Sequence, residues 1–284
     1  MDTLEAFVAA LPKVELHVHL IGSAPVETVL ALARRHPEVG VPATVEALRE
    51  FYVFSDFAHF LNVYAVVGKL LRTPEDIAEL VRGVGRNLAA QQVRYVELQV
   101  SPYPFQGSGM SDAAISEALS IGARDVLAAC GVRIGYIIDF PGHDAERDAW
   151  TAETVWEAVR FLHAERIGHG IRSLDDPALV SYLAEQQLPV EVSPTSNVCT
   201  RCVPSIGEHP LRKMISAGMN ASLNSDDPPM FGTSLSNEYL VAGRDLGFSP
   251  AELAGLAANG VRASFLEQPA KEALLAEIAA VPLP

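Results

Sequence analysis

The sequence predicts an α/β fold of the (β/α) TIM-type barrel class, incomplete or irregular because about six strands are evident instead of eight. Short apolar strand candidates alternate with longer helical segments, which is typical of parallel sheets with right-handed crossovers. No Gly/Ser-rich linker divides the 284 residues, and 49% of them are hydrophobic. We therefore expect a single domain over residues 1–284.

The strand candidates are short runs rich in Val, Ile, Leu and Tyr. In chain order they are Val14–Leu20, Val93–Val100, Val132–Phe140, Arg166–Gly168, Pro189–Val192 and Ala221–Leu223. Strands are lacking between Asp139 and Glu165. A closed barrel needs eight strands, so the shortage is concentrated in this segment.

Capping residues mark the helices. Thr73-Pro74-Glu75-Asp76 supplies an N-cap, a proline at the first position and acids in the first turn. The helix that starts at Pro25 should end before Pro37, because proline disfavours a helical residue before it. Phe51, Phe54, Phe57 and Phe60 have helical spacing and are expected in the core rather than in a substrate lid.

Composition excludes several classes of partner. The net charge is -14, which argues against nucleic acid, and no apolar run approaches the roughly 20 residues of a membrane span. The first ten residues carry Asp2 and Glu5 and no basic residue, unlike a signal or transit peptide. Three cysteines make no disulfide framework. We expect a cytoplasmic protein without nucleic-acid or membrane partners.

Two pairs of polar residues at strand ends could bind a metal. His17 and His19 point to one face of a strand, and two neutral imidazoles form half of a zinc site. Two half-buried histidines with local hydrogen bonds are the alternative. Asp226 and Asp227 follow an apolar run, and a divalent cation would compensate their mutual repulsion. An Asp-rich surface turn is the alternative there.

Three further segments carry reactive side chains. His169 lies between two glycines, which let the backbone approach a ligand closely, although a plain turn would have the same pattern. His143 and Glu146 could supply a metal ligand and a general acid, or a charged loop that opens a helix. Cys199 and Cys202 have no second pair, so we expect no metal there.

Four motifs in order resemble the adenosine deaminase family. They are Leu11–Leu20, Arg166–Gly170, Glu191–Asn197 and Ser222–Pro228, and the resemblance extends over nearly the whole chain. It implies an amidohydrolase-type enzyme that uses Zn2+ to hydrolyse the amino group from a small-molecule purine nucleoside. The oligomeric state is not implied.

The resemblance also implies roles for individual residues. His17, His19 and Asp226 would bind zinc, and His169 would orient the attacking water and help to remove its proton. Asp227 would hydrogen-bond a ring nitrogen of the base, and Gly22 would contribute to substrate binding.

One departure from the family concerns the substrate. Ile21 stands where adenosine-cleaving members usually have an acid that helps to hold the sugar. The segment His19–Ala24 therefore looks more like the aminodeoxyfutalosine deaminases of menaquinone biosynthesis. Adenosine deaminase and a catalytically inactive, deaminase-like binding protein are the alternatives.

The second departure is a deletion between Val132 and Glu165. The family places three strands there and this chain has room for one, so two βα units, roughly 60 residues, are missing. In one alignment His143 replaces the family's third histidine ligand and Glu146 replaces its proton donor. In the other alignment the segment that carries this ligand and acid is lost.

Overall fold

The computed structural model describes residues 3–105, 108–139 and 151–284. The described residues form six β-strands and thirteen α-helices, joined by turns and short 3-10 helices. The strands are β1 (Lys13–His19), β2 (Val93–Val100), β3 (Arg133–Ile138), β4 (Ile167–Gly168), β5 (Val190–Val192) and β6 (Ala221–Leu223). The helices are α1 (Thr3–Ala10), α2 (Val26–Arg35), α3 (Val45–Phe51), α4 (Phe57–Gly68), α5 (Pro74–Ala90), α6 (Asp112–Cys130), α7 (Ala152–Arg160), α8 (Pro177–Gln186), α9 (Pro194–Cys199), α10 (Leu211–Ser216), α11 (Leu235–Arg244), α12 (Pro250–Ala263) and α13 (Gln268–Ala279).

The predicted α/β class is confirmed, with six strands in the described residues where a closed barrel would have eight. Strands β2 and β6 coincide with the predicted ranges, whereas β3 ends at Ile138, before the predicted end. Helix α5 begins with the expected cap, since the side chains of Thr73 and Asp76 each accept a backbone N–H of the other residue. Helix α2 ends at Arg35, before Pro37.

The chain divides into two compact units. Among the described residues, the first unit comprises 3–17, 151–225 and 234–284. The second comprises 18–105, 108–139 and 226–233. The boundary passes through β1, so the last two residues of this strand belong to the second unit.

The first unit contains a parallel sheet in the order β4-β5-β6, and all residues of β5 and β6 are buried. Its part of β1 is held by side chains that follow β6. The Asn224 Oδ1 atom accepts hydrogen bonds from the backbone N–H groups of Leu16 and His17, at 2.9 and 3.2 Å. In return, the Glu15 carboxylate accepts the backbone N–H and the hydroxyl of Ser225. These contacts fix the position of His17 within the unit.

The second unit is built around β2, which pairs in parallel with β3 from Tyr95↔Arg133 to Val100↔Ile138. Helices α5 and α6 pack closely at Gly122, where a Cβ atom would lie only 2.6 Å from the side chain of Val81. In the described residues β3 pairs only with β2 and is half-exposed, whereas β2 is mostly buried. This exposed edge lies where the sequence lacks strands.

The prediction that the phenylalanines lie in the core was right for Phe60 and wrong for Phe57, whereas Phe51 and Phe54 are half-buried. Helix α3 ends at Phe51 and α4 begins at Phe57, so the four residues do not form one helical face. Phe60 is buried, but Phe57 is 45% exposed. The turn at Ser55 and Asp56, where Asp56 caps α4, interrupts the helix, although the spacing of the phenylalanines in the sequence continues through it. No helix among the described residues is long and apolar enough to cross a membrane.

Candidate metal centre and active site

The end of strand β1 carries the two histidines predicted to bind metal. Side chains alternate along a strand, so His17 and His19 lie on the same face. With Asp226 they form the group of three potential ligands found in the described residues, with one ligand atom from each residue within 4.8 Å of the others. Two imidazole nitrogens and a carboxylate oxygen are a donor set that zinc prefers. The residues present therefore fit the metal implied by the family resemblance.

In the second unit, His19 contacts two carboxylates. Its Nε2 atom lies 3.3 Å from Asp226 Oδ1 and its Nδ1 atom lies 3.8 Å from Asp139 Oδ2. Two ligand atoms that bind one zinc ion at about 2.1 Å in tetrahedral geometry lie about 3.4 Å apart. The Nε2–Oδ1 separation therefore matches a shared ion, and Asp139 faces the other ring nitrogen.

Backbone contacts place Asp226 beside β1. The backbone N–H of His19 donates to Asp226 O at 3.0 Å, and Val18 and Asp226 form a parallel bridge. Asp226 has φ +67°, a left-handed conformation that is uncommon outside glycine. Such strain often marks functional sites, because the surrounding structure must hold the residue in place.

In the first unit, His17 is oriented by a buried ion pair. Its Nδ1 atom lies 3.1 Å from Glu191 Oε2, and Arg166 Nε lies 2.6 Å from Glu191 Oε1. The side chains of Glu191 and Arg166 are less than 10% exposed. A histidine that donates one ring N–H to a carboxylate presents the other nitrogen to a metal. This contact therefore leaves Nε2 of His17 as the nitrogen that could bind a metal.

His169 packs against His17, with ring centroids 4.6 Å apart. The neighbouring glycines permit this arrangement, since a Cβ atom at Gly168 would lie 2.9 Å from His17 Cε1. A Cβ atom at Gly170, which has φ +61°, would lie 2.4 Å from Val190 Cγ1. His169 itself has φ +53°. Gly168 thus leaves room for the His17 ring, and Gly170 leaves room for Val190.

Asp227 is buried in the second unit, and its Oδ1 atom has no hydrogen-bond partner among the described residues. Burial, followed by repulsion from Asp226, raises the pKa of Asp227 well above its usual value. A Cβ atom at Gly22 would lie 1.5 Å from this Oδ1 atom. Gly22 therefore makes room for the Asp227 carboxyl, and Oδ1 is an atom that a ligand could hydrogen-bond.

The remaining residues singled out in the sequence are Ile21, His143, Glu146 and the two cysteines. Ile21 is buried and close to Gly68, where a Cβ atom would lie 3.1 Å from Ile21 Cδ1. His143 and Glu146 lie outside the described residues. Among the residues that are described, Cys199 and Cys202 belong to no group of three or more potential metal ligands.

Several residues around the site had no predicted role. Asp139, Glu191 and Asn197 lie within segments singled out in the sequence, but their contacts are to residues far away in the chain. Ser101 Oγ donates to Asp139 Oδ2 at 2.9 Å, and the Asn197 side chain contacts His169. An acid directly after an apolar strand was the available signal for Asp139.

These features define an α/β protein in which two histidines at the end of a strand and an aspartate could hold a metal ion. A sequence model of the adenosine deaminase family matches residues 12–148 and 142–281. The chain belongs to the adenosine deaminase family, and the predicted membership of an enzyme family is confirmed.

The chain is similar to characterised deaminases over nearly its whole length. An aminodeoxyfutalosine deaminase from Streptomyces coelicolor is 40% identical, covering 97% of this chain and 85% of that protein. An adenine deaminase structure from Arthrobacter aurescens has a TM-score of 0.86 at 28% identity, covering 95% of this chain and 98% of the other. A zinc-bound amidohydrolase structure from Burkholderia ambifaria has a TM-score of 0.86 at 25% identity, covering 98% and 92%.

The alignment with the Streptomyces coelicolor relative supports the predicted internal deletion. It extends over 330 positions, but 97% of 284 residues is about 275, so about 55 positions have no residue from this chain. The family match is also divided, and both segments include residues 142–148. The break therefore falls in the segment that contains His143 and Glu146, which keeps both alignments open.

Proposed function

We propose that this chain is a zinc-dependent hydrolytic deaminase of an aminopurine nucleoside. The observation that carries the proposal is the ligand set of His17, His19 and Asp226 on family motif residues. The zinc-bound amidohydrolase structure supports the choice of metal. We further propose that residues 1–284 act as one deaminase domain, and a cytoplasmic location stays a prediction.

The roles follow from the contacts of each side chain. Zinc, when bound, supplies a Lewis acid that makes hydroxide available near neutral pH. His169 is held by Asn197 and packs on His17, which suits it to orient the attacking water. Asp227 offers its unpartnered Oδ1 atom to the base, and Gly22 leaves room for that carboxyl.

We propose aminodeoxyfutalosine as the substrate. The Streptomyces coelicolor relative is named for this activity, and the apolar Ile21 replaces the acid of adenosine-cleaving members. A site that lacks a partner for a sugar hydroxyl binds adenosine less well. Adenosine is the runner-up from the sequence, and the Arthrobacter aurescens structure adds adenine as a second candidate.

Because of the internal deletion, the alternative is a catalytically inactive, deaminase-like protein that binds a purine or a partner protein. Deamination needs an acid that protonates the ring nitrogen, and general acid catalysis is worth roughly 10²–10⁴-fold. We propose that Glu146 supplies this acid and His143 a fourth ligand. If the segment is lost instead, three ligands can still bind zinc, as in many catalytic sites.

Ammonia release from a panel of aminodeoxyfutalosine, adenosine and adenine tests this proposal. We expect the zinc-loaded chain to turn over aminodeoxyfutalosine fastest, and Glu146→Gln to lose most activity while it retains zinc. Glu153→Gln, an exposed acid in the first turn of α7, is the matched control and should change little. Faster turnover of adenosine would contradict the substrate assignment, and an inactive parent would favour the binding protein.

The cysteine pair supplies a second control on the metal. A Cys199→Ser, Cys202→Ser double variant should keep its zinc, because two thiolates lack the further ligands of a closed site. If this variant lost its zinc while it stayed folded, the cysteines and not the proposed ligands would bind the metal.

A further inference from the structure

A chain of hydrogen bonds in the first unit ends at His169. The Asn197 Nδ2 atom lies 3.1 Å from His169 Nδ1, and the Asn197 Oδ1 atom lies 3.1 Å from His209 Nε2. The backbone N–H of Leu211 donates to His209 Nδ1 at 3.2 Å. Asn197 and His209 are both buried, so water does not compete freely for these bonds.

The backbone amide sets the direction of every bond in this chain. The Leu211 N–H can only donate, so His209 Nδ1 must be unprotonated. A neutral imidazole carries one ring proton, which then lies on His209 Nε2 and is donated to Asn197 Oδ1. The Asn197 amide therefore directs its Nδ2–H to His169 Nδ1, which must accept.

Two alternative assignments are excluded by the same contacts. A flipped Asn197 amide would leave His209 accepting at both nitrogens, which a neutral imidazole cannot do. A doubly protonated His209 could not accept from Leu211, and burial lowers the pKa of His209 to about 4. His209 is therefore neutral near pH 7, and the direction of the chain does not depend on how the amide oxygen and nitrogen were assigned.

We propose that Asn197 and His209 are positioning residues that fix His169 as the tautomer with its proton on Nε2. Any partner of Nε2 in the resting protein must then be an acceptor, such as a carboxylate or water oxygen. His169 would hold the attacking oxygen by donating a hydrogen bond to it, and in this tautomer Nε2 could not also remove its proton, which differs from the role that the family resemblance implies. This consequence for catalysis rests on the proposed deaminase function, whereas the tautomer rests only on contacts within the unit.

The direct test is 15N NMR of the full chain with labelled histidine, because protonated and unprotonated ring nitrogens resonate far apart. A His169→Gln spectrum identifies the His169 signals. We expect Nε2 protonated and Nδ1 unprotonated in the parent near pH 7. A protonated Nδ1 in the parent would overturn the proposal, because the parent spectrum itself reports the tautomer and the variant serves only to identify the signals.

Asn197→Asp sharpens the test because a carboxylate accepts at both oxygens and nearly keeps the shape of the amide. His169 Nδ1 should become protonated in this variant, a change that loss of packing alone would not produce. Asn87→Asp, at an exposed position in α5, is the control and should leave the His169 signals unchanged. An unprotonated His169 Nδ1 in the folded Asn197→Asp variant would refute the proposed chain of hydrogen bonds. Because the spectra need no substrate, an inactive chain would contradict the proposed function and leave this inference standing.

Discussion

Replacing Glu191 by glutamine should weaken zinc binding although Glu191 is not itself a proposed ligand. Glu191 Oε2 faces His17 Nδ1 at 3.1 Å, and Oε1 pairs with Arg166 at 2.6 Å. The glutamine side chain keeps the shape, but its amide removes the charge that favours proton donation from His17 Nδ1. The His17 ring would then be free to adopt the other tautomer, which places a proton on the ligand atom.

The magnitude follows from the burial and directness of this contact. Loss of a carboxylate partner behind a metal-binding histidine typically costs about 10–100-fold in metal affinity. This corresponds to about 1.4–2.7 kcal/mol, at 1.4 kcal/mol for each tenfold change. Both partners are buried, so solvent screening does not reduce the effect as it would at the surface.

The assay is a competition titration of zinc against a chelator of known affinity, with thermal unfolding to check the fold. Glu252→Gln is the matched control, since Glu252 also pairs with an arginine, Arg212, but is partly exposed and distant in sequence from the motif residues. We expect the control to bind zinc like the parent. An unchanged zinc affinity in a folded Glu191→Gln protein would refute the assignment of His17 orientation to this carboxylate.

Three more outcomes are expected. Gly22→Ala should lower kcat/KM on the order of 100-fold in the ammonia assay, because its Cβ atom would displace the Asp227 carboxyl; wild-type kinetics would contradict this close approach. Asp76→Asn should cost about 1 kcal/mol in urea unfolding at pH 7, because it removes the charge that pairs with Arg35, whose own side chain is 42% exposed; an unchanged free energy of unfolding would contradict this contribution. The unfolded chain protonates His209 near pH 6.5 and the folded chain only near pH 4. The free energy of unfolding should therefore fall by about 3 kcal/mol as the pH falls through this window. His209→Gln should show a shallower loss between those pH values, and an identical slope would contradict a neutral buried histidine.

Sequence reasoning predicted the elements whose signals are local. The ends of β2 and β6 were predicted because apolar runs are bounded by polar residues, and the start of α5 because its capping box lies within four residues. The interruption between α3 and α4 was missed because helical spacing also continues through the turn at Asp56. A regular spacing of aromatic residues does not itself require a continuous helix.

The site divides in the same way. The placement of His17 and His19 on one face follows from strand geometry alone. The partners Asp139, Glu191 and Asn197 could not be assigned, because their contacts join residues that are distant in sequence. Such pairs have no spacing rule, and only the folded chain brings them together.

Anomalous diffraction at the zinc edge, from crystals of the zinc-loaded chain, tests the central claim most directly. We expect one strong peak, coordinated by the imidazoles of His17 and His19 and the carboxylate of Asp226, and the same map would show whether His143 is a further ligand. A peak at Cys199 and Cys202, or no peak at the end of β1 in crystals that contain zinc elsewhere, would contradict the account.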